Sequence, residues 1–186
     1  ESIATHDVAN SIDNITGQRK CKWLVLEWDG RENSGIFIGN PVGWLLKNVN
    51  SSLALFKDNG VRSFSRILIA LRPGRRNQKF IDIADKICFH YGASLTLLNI
   101  ISENQQESVS LKKTSEELLS LTKSKSELKI IKSNDPVETI SEESASYDLL
   151  ILGTPEKDNW IRVLFSASED KFVKMAACSV LRLTIK

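Results

Sequence analysis

A basic turn is the first feature of this sequence that could bind a ligand. It follows the apolar run 66–71, a predicted strand, and carries Arg72, Arg75 and Arg76. Guanidinium groups hold phosphate and carboxylate oxygens through paired hydrogen bonds. The turn after a strand's carboxyl end is also where open α/β sheets bind ligands. A solvated basic loop is the more common role of such a turn, and an anion site is the alternative that these residues offer.

A second turn with the same placement follows the apolar run 149–152. Gly153 ends this run, and a loop and an amphipathic helix separate it from a last apolar run, 179–185. Strand, glycine turn, helix and strand is the order of a crossover in a parallel sheet. Glycine at such a turn lets backbone N–H groups approach phosphate oxygens, because no Cβ stands in the way. Gly153 is therefore a candidate for a nucleotide loop.

The elements that must position these turns alternate along residues 61–186. Five apolar runs predict strands at 66–71, 94–101, 127–131, 149–152 and 179–185. The stretches between them predict helices, one of which opens with Asp135 at the N-cap, Pro136 at N1 and Glu138 at N3. This alternation requires right-handed crossovers and a parallel sheet covered by helices on both faces.

Composition places the chain among ordinary globular proteins. It has 186 residues, 41% of them hydrophobic and 26% charged, and a net charge of +2 that gives no reason to expect nucleic acid as a partner. Three dispersed cysteines predict reduced thiols in a cytoplasmic compartment. No apolar run approaches the roughly 20 residues of a membrane helix, and no signal peptide is visible. The first residue, Glu1, is compatible with a fragment of a longer protein.

Two segments around Gly153 carry a family resemblance. Residues 148–153, D-L-L-I-L-G, are similar to a D-L-I-V-M-G motif, and residues 176–181, A-A-C-S-V-L, to A-P-C-S-V-L. Both motifs belong to the universal stress protein family, which this stretch resembles. Between them the family carries a phosphate loop with three glycine positions, and two of these glycines are lost here. The positions of this degenerate loop are Gly153, Glu156, Ser166, Ala167 and Ser168.

The resemblance also implies where a nucleotide would be disfavoured. Nucleotide-binding members carry an Asp at the end of the first strand, where this chain has Arg72. Glu156 replaces a loop glycine and would repel a triphosphate, although Ser166 and Ser168 could still donate hydroxyl hydrogen bonds. We therefore expect no cofactor, with ATP or another nucleotide as the disfavoured alternative.

For residues 61–186 the resemblance implies a five-stranded parallel sheet of order 3-2-1-4-5, the fold shared with adenine nucleotide alpha-hydrolases. Residues 49–56 align with residues 176–183, so the chain contains an internal repeat. Residues 1–60 are interpreted as a partial copy that precedes the complete domain and contains its last two strands.

The family pairs its final strands, antiparallel, across a two-fold axis. The resemblance thus implies an internal pseudo-dimer in which Leu53–Phe56 lies beside Val180–Leu183. Strands missing from the partial copy would leave a sheet edge near residues 23–28, and a homodimer could bury it.

Tandem copies of this domain form cytoplasmic tails of some amino-acid permeases and other transporters, and the segments 28–30 and 39–46 are similar to that subgroup. We predict a non-catalytic regulatory or sensor module of such a membrane transporter, lying on its cytosolic face; the alternative is a free-standing nucleotide-binding stress protein. An enzyme is not predicted, because the sequence has no Gly-x-Ser-x-Gly elbow and no Cys/His pair. His6 and His90 lie in different predicted helices without ligands at metal spacing, so no metal site is predicted either.

Overall fold

The computed structural model describes residues 7–27, 44–45, 48–72, 76–104, 109–153 and 167–186, without the side chains of 167–170. Its strands are β1 (Trp23–Glu27), β2 (Ser52–Lys57), β3 (Arg66–Ala70), β4 (Ser94–Ile101), β5 (Ser126–Lys132), β6 (Leu149–Gly153) and β7 (Ser179–Thr184). Its helices are α1 (Val8–Gln18), α2 (Asn77–Tyr91), α3 (Val109–Ser120), α4 (Pro136–Ser144) and α5 (Ala167–Met175). All seven strands belong to one sheet, in the order β1-β2-β7-β6-β3-β4-β5.

The strand number differs from the expected five. Strands β3 to β7 do follow the order 3-2-1-4-5, and all their pairs are parallel. The sheet does not end at β7, however, because β2 pairs with β7 antiparallel and β1 pairs with β2 parallel. The result is a mostly parallel sheet of seven strands.

The β2–β7 ladder joins segments that are distant in the chain. It pairs Leu53 with Thr184, and Phe56 with Leu181. The segments Leu53–Phe56 and Val180–Leu183 thus lie on adjacent strands, with residues 53–56 paired to residues 181–184. The connection after β2 is also tied to β7, since Asn59 Nδ2 donates to the Cys178 carbonyl at 2.8 Å and the Asn59 N–H donates to Ser179 Oγ at 2.9 Å.

Local sequence signals account for the boundaries of α2 and α4. Gly92 ends α2 in the left-handed region, with φ of 67°, which glycine adopts without a Cβ penalty. Asp135 caps α4, and its carboxylate accepts from the backbone N–H groups of Val137 and Glu138 at 3.0 Å each. The sequence between β4 and β5 predicts a helix over 103–123, and α3 ends at Ser120, before the predicted end.

Two hydrophobic clusters lie on opposite faces of the sheet. One packs side chains of β3 and β6, such as Ile69 and Ile151, against Phe80 of α2 and Leu119 of α3. The other packs alternate residues of the same strands against α4 and α5, and it contains Leu68, Leu98, Ile140, Leu150, Val173 and Val180. The central strands are therefore covered on both faces, as a parallel sheet requires. Among the residues placed by the structure, no helix has the length and hydropathy needed to span a bilayer.

Candidate functional site

The candidate site lies at the carboxyl edge of the sheet, between β3 and β6. These two strands pair in parallel, with Ala70 beside Leu152, so Arg72 and Gly153 emerge from the same edge. The chain proceeds from β3 through β4 to β5 on one side, and from β6 to β7 on the other. This reversal of strand order is a topological switch point, where open α/β sheets usually bind ligands.

Gly153 occupies the centre of this switch point and is closely packed. A Cβ added to it would lie 2.9 Å from Leu71 Cδ2 and 3.0 Å from Phe80 Cε2. Both side chains are buried, Leu71 directly after β3 and Phe80 as the fourth residue of α2. Close packing therefore explains the glycine at this position without a bound phosphate. On the α2 face, these two side chains fill the space beneath the turn.

The basic turn is partly tied into the fold. Arg76 is the N-cap residue of α2, and its Nη1 donates to the Ile185 carbonyl at 2.6 Å, which links this helix end to the residue that follows β7. Arg72 is exposed, and its carbonyl accepts from Asn77 Nδ2 at 3.0 Å. Arg75 lies outside the described residues. Arg72 therefore lies exposed at the edge of the sheet, directly before the residues that the structure does not describe.

The predicted nucleotide loop is described only at its ends. Gly153 closes β6, whereas Glu156 and Ser166 fall in residues 154–166, which the structure does not describe. Ala167 and Ser168 form the start of α5, and their side chains are likewise outside the description. Of the predicted site residues, the structure brings Arg72, Arg76 and Gly153 to one edge of the sheet.

Arg182 is a charged residue near this edge that the sequence reasoning did not single out. It lies in β7 between Leu152 of β6 and Leu55 of β2, and it is only 3% exposed. Side chains alternate along a strand, so Arg182 lies on the same face as Val180, the face covered by α4 and α5. The sequence signal for this buried residue was a single charge within the apolar run S-V-L-R-L. Arg182 is therefore a buried cationic residue two positions before the carboxyl end of β7.

Thiol and metal chemistry receive no support from the part of the chain that the structure places. Burial raises the pKa of Cys88 to about 12 and that of Cys178 to about 11, so both thiols stay protonated at neutral pH. Within the same residues, no group of three His, Cys, Asp or Glu side chains could hold a metal ion. A groove of about 590 Å³ exists, but it lies between α3 and β5, away from the switch point.

Some proteins of known structure share this architecture. No model of a protein family matches the chain, and no curated protein matches it. Among solved structures, a universal stress protein from Archaeoglobus fulgidus DSM 4304 matches with a TM-score of 0.69 and 14% identity, over 94% of this chain and 64% of that one. The chain thus spans less than two thirds of that protein's length.

Two further matches are to nucleotide complexes. A universal stress protein solved with cAMP matches with a TM-score of 0.53 and 13% identity, over 67% of this chain and all of that one. One from Archaeoglobus fulgidus solved with dAMP has a TM-score of 0.50 and 10% identity, over 66% of this chain and all of that one. Likeness at such identities concerns the fold alone, and the chain has the fold of the universal stress proteins.

Proposed function

We propose that this chain is a non-catalytic regulatory or sensor module with the universal stress fold, which acts by association and not by turnover. The packing at Gly153 carries the proposal. Leu71 and Phe80 fill the α2 side of the switch point, with contacts of 2.9 and 3.0 Å to an added Cβ. A ring-sized ligand on that face would have to displace two buried hydrophobic side chains. Such displacement costs stability, because interiors are close-packed.

Positive charge at this edge supports a weakly bound anion as the ligand that the module senses. Arg72 is exposed there, and a guanidinium binds phosphate or carboxylate oxygens through its fork of donors. In our proposal Arg75 and Lys79 add to this charge, whereas Glu156 in the degenerate loop opposes a triphosphate.

We also propose the domain organisation that the repeat predicts, with residues 1–60 as a partial copy and 61–186 as a complete domain. The sheet supports it, because β1 and β2 pair in parallel as β6 and β7 do. The antiparallel β2–β7 ladder would then be an internal pseudo-dimer contact.

A second candidate function is that of a free-standing nucleotide-binding stress protein. The fold neighbours solved with cAMP and dAMP favour it. It ranks second because Arg72 stands where the resemblance expects a carboxylate and because Gly153 is accounted for by packing.

The transporter context of the proposal comes from the resemblance of residues 28–30 and 39–46 to permease tails. The residues encoded before Glu1 test it. About a dozen apolar segments of roughly 20 residues each would support a transporter. Upstream sequence without any such segment would contradict that part of the proposal.

Calorimetry with ATP, cAMP and dAMP tests the choice between the two functions. We expect no micromolar affinity for any of them, and micromolar binding would replace the first function by the second. Thermal unfolding in phosphate and in chloride at matched ionic strength tests the anion, because a bound ligand raises stability by mass action. Phosphate should raise the Tm of the native chain and of Arg62→Ala, an exposed control, more than that of Arg72→Ala. An equal effect on all three would remove Arg72 from the proposal.

A further inference from the structure

The centre of the sheet has an internal two-fold relation. Strand β1 pairs in parallel with β2, with Trp23 beside Ser52. Strand β6 pairs in parallel with β7, with Leu149 beside Ser179. Between them β2 and β7 run antiparallel. The relation thus matches β1 with β6 and β2 with β7, so that Trp23 corresponds to Leu149 and Val25 to Ile151.

The relation breaks at the outer edge of β1. The outer edge of β6 is paired in parallel with β3, whereas β1 ends the sheet within the described residues. The Lys22 carbonyl accepts from the Ser52 N–H at 3.0 Å, so it points toward β2. Backbone groups alternate along a strand, and those of Trp23, Val25 and Glu27 therefore point outward. Such an edge is a template for another strand.

Burial shows that no helix among the described residues covers β1 on one face. Val25 lies beside Ala54, on the face of the sheet that α2 and α3 cover elsewhere. Its side chain is 64% exposed, whereas the corresponding Ile151 is 0% exposed. Trp23 is 38% exposed and the corresponding Leu149 is 2% exposed. Leu149 and Ile151 owe their burial to β3 at the edge and α2 on the face. Burying Val25 and Trp23 equally would take both kinds of element.

We infer that β1 is completed by a strand–helix unit equivalent to β3 and α2, whose strand pairs in parallel with β1. Like β3, this strand would be apolar on both faces, since Ile67, Leu68 and Ile69 are each 0% exposed. The internal relation places a parallel strand beside β1, as β3 lies parallel to β6, whereas a two-fold axis at this edge would set β1 against β1 antiparallel. We assign the unit to polypeptide that precedes Glu1.

A length comparison is consistent with that source. The universal stress protein from Archaeoglobus fulgidus DSM 4304 matches 94% of this chain, yet 36% of that protein lies outside the match. The inference rests on the proposed partial copy in residues 1–60, but it does not depend on any ligand. Its test therefore uses backbone protection and stability, and can fail while the ligand proposals stand.

Hydrogen exchange of β1 tests the inference. The 186-residue chain is compared with the protein extended by the residues encoded directly upstream. The amides of Trp23, Val25 and Glu27 should exchange at least about 100-fold more slowly in the extended protein. Equal exchange in both would overturn the inference, as would an encoded protein without upstream residues. Protection that rises with concentration in the 186-residue chain would assign the edge to a second copy, and would also overturn it.

A pair of variants keeps the test independent of exchange data. Val25→Lys places a charge on the proposed buried face, and Val109→Lys is the control, because Val109 is 83% exposed in α3. Val25→Lys should lower the Tm of the extended protein by several degrees and leave that of the 186-residue chain unchanged. Val109→Lys should change neither. If Val25→Lys has the same effect at both lengths, nothing upstream covers β1 and the inference fails.

Discussion

Gly153→Ala separates a glycine kept by packing from one kept for a ligand. The added Cβ would lie 2.9 Å from Leu71 Cδ2 and 3.0 Å from Phe80 Cε2, so a neighbour must shift. Leu71 is 7% exposed and Phe80 is 3% exposed, which leaves neither an easy route outward. Overpacking of this kind costs about 1–3 kcal/mol. In a chain of this length about 1 kcal/mol moves the Tm by roughly 2–4 °C, so the expected loss is roughly 2–12 °C.

Thermal unfolding followed by circular dichroism measures this loss. Gly17→Ala is the matched control, because Gly17 lies in α1 with nothing within 4 Å of an added Cβ. Alanine is the better helix former by up to about 1 kcal/mol, so this control should hold or raise the Tm. Combining Gly153→Ala with Leu71→Ala makes room for the new methyl group. The double variant should therefore lose at least about 0.5 kcal/mol less than the sum of the single losses.

Two results would refute this reasoning. An unchanged Tm for Gly153→Ala would mean that Leu71 and Phe80 do not confine the turn. Strictly additive losses in the double variant would mean that the clash lies elsewhere. Either result would remove the observation that carries the proposed function, and a ligand would again be the better reason for the glycine.

Three further predictions concern the β2–β7 ladder, the thiols and one carboxylate. Leu53→Asp puts a charge at a 2% exposed position of the β2–β7 ladder, so limited proteolysis of this variant should cleave first within residues 7–57. Cleavage no faster than in the native chain would contradict this prediction. A thiol reagent at pH 8 should label Cys21, which is half-buried, well before Cys88 and Cys178, whose pKa values burial raises to about 12 and 11; equal rates in the folded protein would show that these thiols are accessible. Burial acts to raise the pKa of Asp85, but hydrogen bonds from the backbone N–H groups of Lys123 and Ser124, in the loop after α3, bring this pKa below the ordinary 3.8. The ionised carboxylate therefore stabilises the fold above pH 3.8, and this stabilisation is lost as the pH falls through the lowered pKa. Asp85→Asn should therefore lower the Tm at pH 7 and flatten its fall in acid, and parallel Tm curves for the two proteins would contradict this.

Local signals were sufficient for several elements. The Asp135 cap was visible as a residue type at a helix start, and β4 was visible as an apolar run. Each depends on neighbours within a few positions. The C-terminal end of α3 was placed too far along the chain, because the polar sequence continues smoothly beyond Ser120.

Long-range packing explains what the sequence left open. The expectation of five strands concerned the complete domain, whereas the β2–β7 ladder extends one sheet to seven. Gly153 looked like a remnant of a phosphate loop because its contact with Phe80, more than 70 positions away, cannot be read from spacing. Arg182 was passed over because its burial depends on strands β2 and β6, which flank it in space and not in sequence.

The β2–β7 ladder has a consequence for synthesis on the ribosome. Asn59 and its partner Ser179 are 120 positions apart. At about 5–20 residues per second, β2 is completed roughly 6–24 s before β7 exists. During that interval the β2 edge, with Leu53 and Leu55, has no native strand to pair with. The N-terminal segment therefore depends on a delayed closing step, and nascent chains of this protein should need chaperone protection until their last strand emerges.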